Sequence, residues 1–154
     1  MPMNHIEIIV AEQPDTHGIN SVINKHYAAP PLYYTPSELE EYDIVQSDSN
    51  IVFIAKQHTQ IIGFIRLHGR HSFSIADSVA TFEIVIDPAH RKSGIASNLL
   101  RTGIRYITDQ TNVKILEAMI PTGNAGSKIL CDRFGFILQS EELKGFVMTL
   151  ELNR

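Results

Sequence analysis

The densest chemistry in the chain lies between Val85 and Ala96, which reads Val-Ile-Asp-Pro-Ala-His-Arg-Lys-Ser-Gly-Ile-Ala. Ser93, Gly94 and Ala96 are small enough to let a ligand approach the main chain closely. If a helix begins at Gly94, the amides of its first turn have no partner inside the helix and face outward, backed by the positive end of the helix dipole. Such a turn attracts anions, and Arg91 and Lys92 add positive charge in front of it. A diphosphate is the natural guest. The GxxxxGK[ST] of a P-loop and the GxGxxG of a dinucleotide fold are both absent from the sequence. On these residues alone, a plain strand–loop–helix turn with a basic entry fits equally well, because small residues are common at helix starts.

Other reactive side chains are sparse. Cys131 is the only cysteine, so no intrachain disulfide can form, and a cytoplasmic setting is the default expectation. It is not proposed as a nucleophile, and no Ser/His/Asp arrangement can be defended. His68-Gly69-Arg70-His71 is expected in a loop between two strands, solvated or touching a substrate at the edge of a cleft. A metal site would need further ligands that the pattern does not supply, so none is expected. Tyr33 and Tyr34, after Pro30-Pro31, either line a pocket or simply pack.

These residues need elements to hold them. Val79–Ile86 is rich in β-branched residues and stops at Asp87-Pro88, which predicts the strand that delivers the loop. Behind the loop, Ile95, Leu99, Leu100, Ile104 and Ile107 recur at helical spacing and predict a helix from 94 to about 110. Upstream, residues 6–11 read as a strand. Asp15 or Thr16 then caps a helix to about Tyr27, with Ile19, Val22 and Ile23 on one face, and the chain breaks at 28–31. Residues 36–41, with acidic side chains in the first turn, predict a second short helix. Residues 50–56 and 61–68 predict a hairpin. Downstream, 114–120 predicts a buried strand. A helix follows over 124–134, with Ala125, Ile129, Leu130 and Phe134 inward and Gly135 at its left-handed C-cap. Residues 136–139 and 146–150 close as a strand pair. The order β, α, α, β, β, β, α, β, α, β, β predicts a layered α/β structure with a right-handed crossover in its second half.

The bulk numbers agree with that picture. A chain of 154 residues, 44% hydrophobic and 19% charged, suits one domain spanning 1–154. No apolar run is long enough for a membrane span, and the N-terminus lacks the pattern of a signal peptide. A net charge of −4 without a Lys/Arg block argues against nucleic acid as a partner and suits a cationic substrate.

Context then narrows the loop. A strand, the segment V-I-D-P-A-H-R-K-S-G-I-A and an amphipathic helix together resemble the central R/Q-x-x-G-x-G/A motif of the GNAT superfamily of N-acetyltransferases. Some thirty residues on, Pro121-Thr122-Gly123-Asn124-Ala125-Gly126-Ser127, followed by Leu130-Cys131-Asp132-Arg133-Phe134-Gly135-Phe136, is similar to that family's second cofactor element, a helix starting near Asn and ending in G-F. The order of elements fits across nearly the whole chain.

The resemblance implies a mixed, mostly antiparallel sheet, splayed between its fourth and fifth strands and flanked by helices. It implies acetyl-CoA as cosubstrate without a metal. The main chain of Val85 and Ile86 would pair with the pantetheine arm. The amides of Arg91, Lys92, Ser93, Gly94, Ile95 and Ala96 would hold the pyrophosphate, and Asn124 would touch the pantetheine arm or act as a helix N-cap. The implied activity is N-acetylation of a primary amine, on a small molecule or a peptide, by direct attack in a ternary complex. The alternative is a non-catalytic module that senses acyl-CoA. An ammonium must lose a proton before attack, and Glu83, in an otherwise apolar strand just before the splay, is the candidate base, with burial expected to tune it. An amide near Val85 or Ile86 would meet the oxyanion. The Tyr that protonates the departing thiolate is replaced by Cys131, read either as a weak acid or as a small buried hydrophobe. Homodimers, common in the family, are compatible with the sequence.

Overall fold

The computed structural model describes residues 5–28, 37–76 and 78–152. Its seven strands are β1 (Ile6–Val10), β2 (Asn50–Gln57), β3 (Gln60–Gly69), β4 (Val79–Ile86), β5 (Ile115–Pro121), β6 (Ile137–Glu142) and β7 (Gly145–Glu151). They form one sheet in the order β1-β2-β3-β4-β5-β7-β6. Every neighbouring pair is antiparallel except β4 with β5. That parallel pair requires a crossover, which α3 (Ile95–Gln110) supplies. The mixed, mostly antiparallel sheet is the one the family resemblance implies, and the layered α/β order is the one the sequence pattern predicts.

Alternation along the strands sends side chains to two faces, and each face has its own helices. On one face, α1 (Thr16–Ala28) buries Ile19, Val22 and Ile23 against Val52, Ile54, Phe64 and Val85. On the other, Ile95, Leu99, Leu100 and Ile107 of α3 meet Ile65, Leu67, Ala80 and Leu116, and Cys131 and Phe136 join the same cluster. Each aliphatic side chain withdrawn from water contributes roughly 1.5–3 kcal/mol. The spacing of these residues therefore fixes which way each helix faces.

Two expectations need correction. The second short helix is α2 (Glu41–Ile44), not 36–41. Over 37–40 the chain is not helical, and the Leu39 amide donates to Asn20 Oδ1 at 2.8 Å while Asn20 Nδ2 donates to the Leu39 carbonyl at 2.9 Å. A helix cannot form while both main-chain groups serve a side chain on α1, so the helix waits until Glu40 caps it. In α4 (Ala125–Arg133), Ala125 and Ile129 face solvent, and Leu130, Cys131 and the following Phe134 face the core. The expected break at 28–31, Tyr33 and Tyr34 lie outside the described residues, apart from Ala28, which closes α1.

Candidate active site

The sheet opens beside β4. Its pairing with β5 covers only Val79–Thr81 against Ile115–Glu117, and beyond Thr81 the two strands part. On its other edge β4 stays paired with β3 through Ile86. The Asp87 amide donates to the Ile62 carbonyl at 2.8 Å. Alternation then turns the main chain of Val85 toward β3 and that of Ile84 and Ile86 toward the opening. Of the two residues expected to offer main-chain groups there, Ile86 has its main chain on the side of the opening and Val85 has its own on the β3 side, with its side chain buried under α1.

The loop after β4 is tightly built. Asp87 caps a short 3-10 turn (Pro88–His90), its Oδ1 accepting from the Ala89 amide at 2.9 Å. Its Oδ2 takes the Lys25 ammonium of α1 at 3.2 Å. Burial alone would raise the Asp87 carboxyl, but the Ala89 amide, Lys25 and His90 outweigh it and hold the group below its usual value. Ser93 Oγ donates to the His90 carbonyl, and Arg91 Nη2 lies 3.2 Å from His26 Nδ1. Lys92 and Gly94 adopt left-handed backbone, at φ 61° and 86°, and Gly94 is the N-cap of α3. A Cβ placed on Gly94 would meet nothing within 4 Å, so the space before the first turn of α3 is open. Main-chain donors, flanking cations and clear space together fit a diphosphate.

Glu83 lies two residues beyond the last β4–β5 pair, directly opposite Arg66 of β3. Its surroundings are not the apolar ones expected. Arg66 Nη1 stands 3.9 Å from Glu83 Oε1, Arg66 Nη2 lies 3.3 Å from Asp43 Oδ1, and Arg66 Nε donates to Asn50 Oδ1 at 2.8 Å. His68 is in β3 rather than in a loop, with Nε2 lying 3.2 Å from Thr81 Oγ1. Burial, and then the charge of Arg66, lower its pKa further than Glu83 and Asp43 raise it, so the imidazole is neutral near pH 7.

On the far side of the opening, α4 begins with Asn124 as N-cap, its Oδ1 accepting from the Ser127 amide at 3.1 Å. The helix closes in a Schellman motif: Gly135 donates to Asp132 O at 3.1 Å and Phe136 to Cys131 O at 3.0 Å, with Gly135 at φ 88°. Cys131 is buried, and burial together with the charge of Asp132 pushes its thiol up to about 12. Among the described residues no group of three or more His, Cys, Asp or Glu could hold a metal, and no helix is long and apolar enough to cross a membrane.

Residues 19–136 match the Acetyltransferase (GNAT) family. The chain belongs to the GNAT acetyltransferase family. No curated protein matches it by sequence. Solved structures agree on the fold. A GNAT-family acetyltransferase from Streptococcus pneumoniae superposes with a TM-score of 0.81 at 16% identity, covering 97% of this chain and 100% of its own. The ribosomal-protein-S18-alanine N-acetyltransferase from Escherichia coli gives 0.74 at 18% identity, covering 97% and 96%. PaiA N-acetyltransferase from Thermoplasma acidophilum, solved in complex with coenzyme A, gives 0.76 at 18% identity, covering 96% and 99%.

For a GNAT chain the general activity is acetyl transfer. Of the residues singled out in the sequence, Glu83 and Ile86 lie on β4 beyond its last pair with β5, residues 91–96 lead from β4 into α3, and Asn124 caps α4. Cys131 points into the core instead. Sequence reasoning missed Lys25, His26, Asp43, Arg66 and Asp87. Lys25 and His26 reach partners 62 and 65 residues away, and no local pattern signals such a pairing.

Proposed function

We propose that the chain moves the acetyl group of acetyl-CoA to a primary amine by direct attack within a ternary complex. The observation that carries this is the opening beside β4, which has a diphosphate-shaped loop at one end and a carboxylate beside it. The amides of residues 91–96 hold the pyrophosphate, with Arg91 and Lys92 adding charge. The main chain of Ile84 and Ile86 pairs with the pantetheine arm and orients the thioester, and one of those amides faces the developing oxyanion. Asn124, already committed to capping α4, borders the arm rather than gripping it. Glu83 removes the proton from the incoming ammonium, directly or through one water. The acceptor is a cationic amine, small or peptidic, in keeping with the net charge of −4.

The buried Cys131 thiol is a poor acid, so the departing thiolate takes its proton from solvent. The same departure leaves a second reading, a module that binds acyl-CoA without turnover. Calorimetry with acetyl-CoA, followed by thiol release over a panel of n-butylamine, spermidine, lysine and a short peptide with a free α-amine, separates the two. Transfer predicts micromolar to millimolar binding and thiol release with at least one amine. It also predicts a loss of about 10²–10⁴ in kcat in Glu83→Gln, the usual contribution of a positioned base. Binding without release from any amine selects the sensing module, and full turnover in Glu83→Gln removes the base assignment.

A further inference from the structure

We infer that Arg66 is the positioning residue of Glu83, and that it ties the proposed base to helix α2. This rests on Glu83 acting as the base. The two residues face each other across β3 and β4, on the sheet face that α1 covers. Glu83 is not the nearest partner of Arg66. Its nearer partners are Asn50 Oδ1 at 2.8 Å and Asp43 Oδ1 at 3.3 Å, against 3.9 Å to Glu83 Oε1.

Asn50 is 8% exposed and has a second task. Its Nδ2 donates to the Asp43 carbonyl at 2.8 Å and to the Val45 carbonyl at 3.2 Å, which clamps the end of α2 to β2. Asp43 is also the residue whose Oδ2 accepts from the Glu40 amide at 3.0 Å and so starts α2. The guanidinium is thus fixed from the α2 side by a neutral amide and a carboxylate. It offers its remaining edge to Glu83 from a defined direction, and a planar fork suits that task better than an ammonium. The cation beside Glu83 is therefore anchored from the α2 side and does not depend on Glu83 to hold it.

A double-mutant cycle tests this, using thiol release from acetyl-CoA with the best amine of the panel above, alongside calorimetry of coenzyme A. If Arg66 acts through Glu83, Arg66→Gln lowers kcat about tenfold, coenzyme A affinity is unchanged, and adding it to Glu83→Gln costs nothing further. Arg66→Lys, keeping charge but not the fork, falls between wild type and Arg66→Gln. Losses that multiply in the double variant, or unchanged kcat in Arg66→Gln, overturn the inference and leave the base assignment standing. Full activity in Glu83→Gln, or no release with any amine in the wild type, overturns both. Should Arg66→Gln fail to fold, Asp43→Asn enters the same cycle. It keeps an oxygen for the Glu40 amide but removes the charge that holds Arg66, and the same non-additivity is expected.

Discussion

Cys131 stands where the family resemblance implies a tyrosine, and its environment decides what it can do. Burial and the neighbouring Asp132 charge push its thiol up to about 12. An ordinary thiolate leaving group has a pKa near 8.5, so proton transfer from Cys131 runs uphill by about 3.5 units, roughly 5 kcal/mol. Solvent is the easier source. Cys131→Ala is therefore expected to keep kcat within about twofold while lowering stability by about 1–2 kcal/mol, the cost of a small cavity beside Phe136. Steady-state kinetics and urea unfolding check this. A large loss of kcat in a folded variant would return the acid role to Cys131. The sequence identifies the residue and its place near G-F, but not its direction, because which side of α4 faces the core depends on how the helix docks. Leu130, Cys131 and Phe134 go inward and Ile129, equally apolar, stays outside. At Glu83 the limit was of the same kind: the neighbouring apolar residues are visible in sequence, and Arg66 across the strand pair is not.

Among the elements, α3 was the most legible, since five apolar residues at helical spacing allow only one buried face. Its start depends on Gly94, whose left-handed φ of 86° lets the chain enter the helix with its amides facing open space. Gly94→Val is expected to weaken coenzyme A binding at least tenfold in calorimetry with the helix signal in circular dichroism retained, because the side chain projects into the space the diphosphate needs. Any residue other than glycine pays about 1–2 kcal/mol for this backbone. Gly94→Ala separates that strain from bulk: if alanine weakens binding as much as valine, the steric assignment fails. Helix α2 was misplaced in sequence for the opposite reason. The acidic residues at 38, 40 and 41 suit a helix start anywhere in that stretch, and the choice is made by Asn20, 19 residues away from Leu39.

At the scale of the molecule, two parts of one sheet meet through three β4–β5 residue pairs, and the opening exists because they part beyond them. Contacts that bind α1 to the loop keep the first part in order. Lys25 with Asp87 and His26 with Arg91 join helix to loop over 60 residues of sequence. These ties and the His68 cluster make stability depend on pH in two stages. His68 is held below its usual value near 6.5. As pH falls through that value the unfolded chain takes up a proton that the folded chain resists, so stability drops as pH goes from 7 toward 5. Asp87 is held below the usual carboxylate value near 4, so its contribution is complete above pH 4 and is lost as pH falls through its lower folded value. Urea unfolding at pH 7, 5, 4 and 3 should show both falls. Variants assign the stages. His68→Gln, which can still bond Thr81, is expected to flatten the fall between pH 7 and 5. Asp87→Asn is expected to be less stable at pH 7 and to lose less than wild type between pH 4 and 3. If either variant follows the wild-type slope in its own window, that group does not couple protons to folding, and the tie assigned to it is not what holds the loop or the β3–β4 cluster in place.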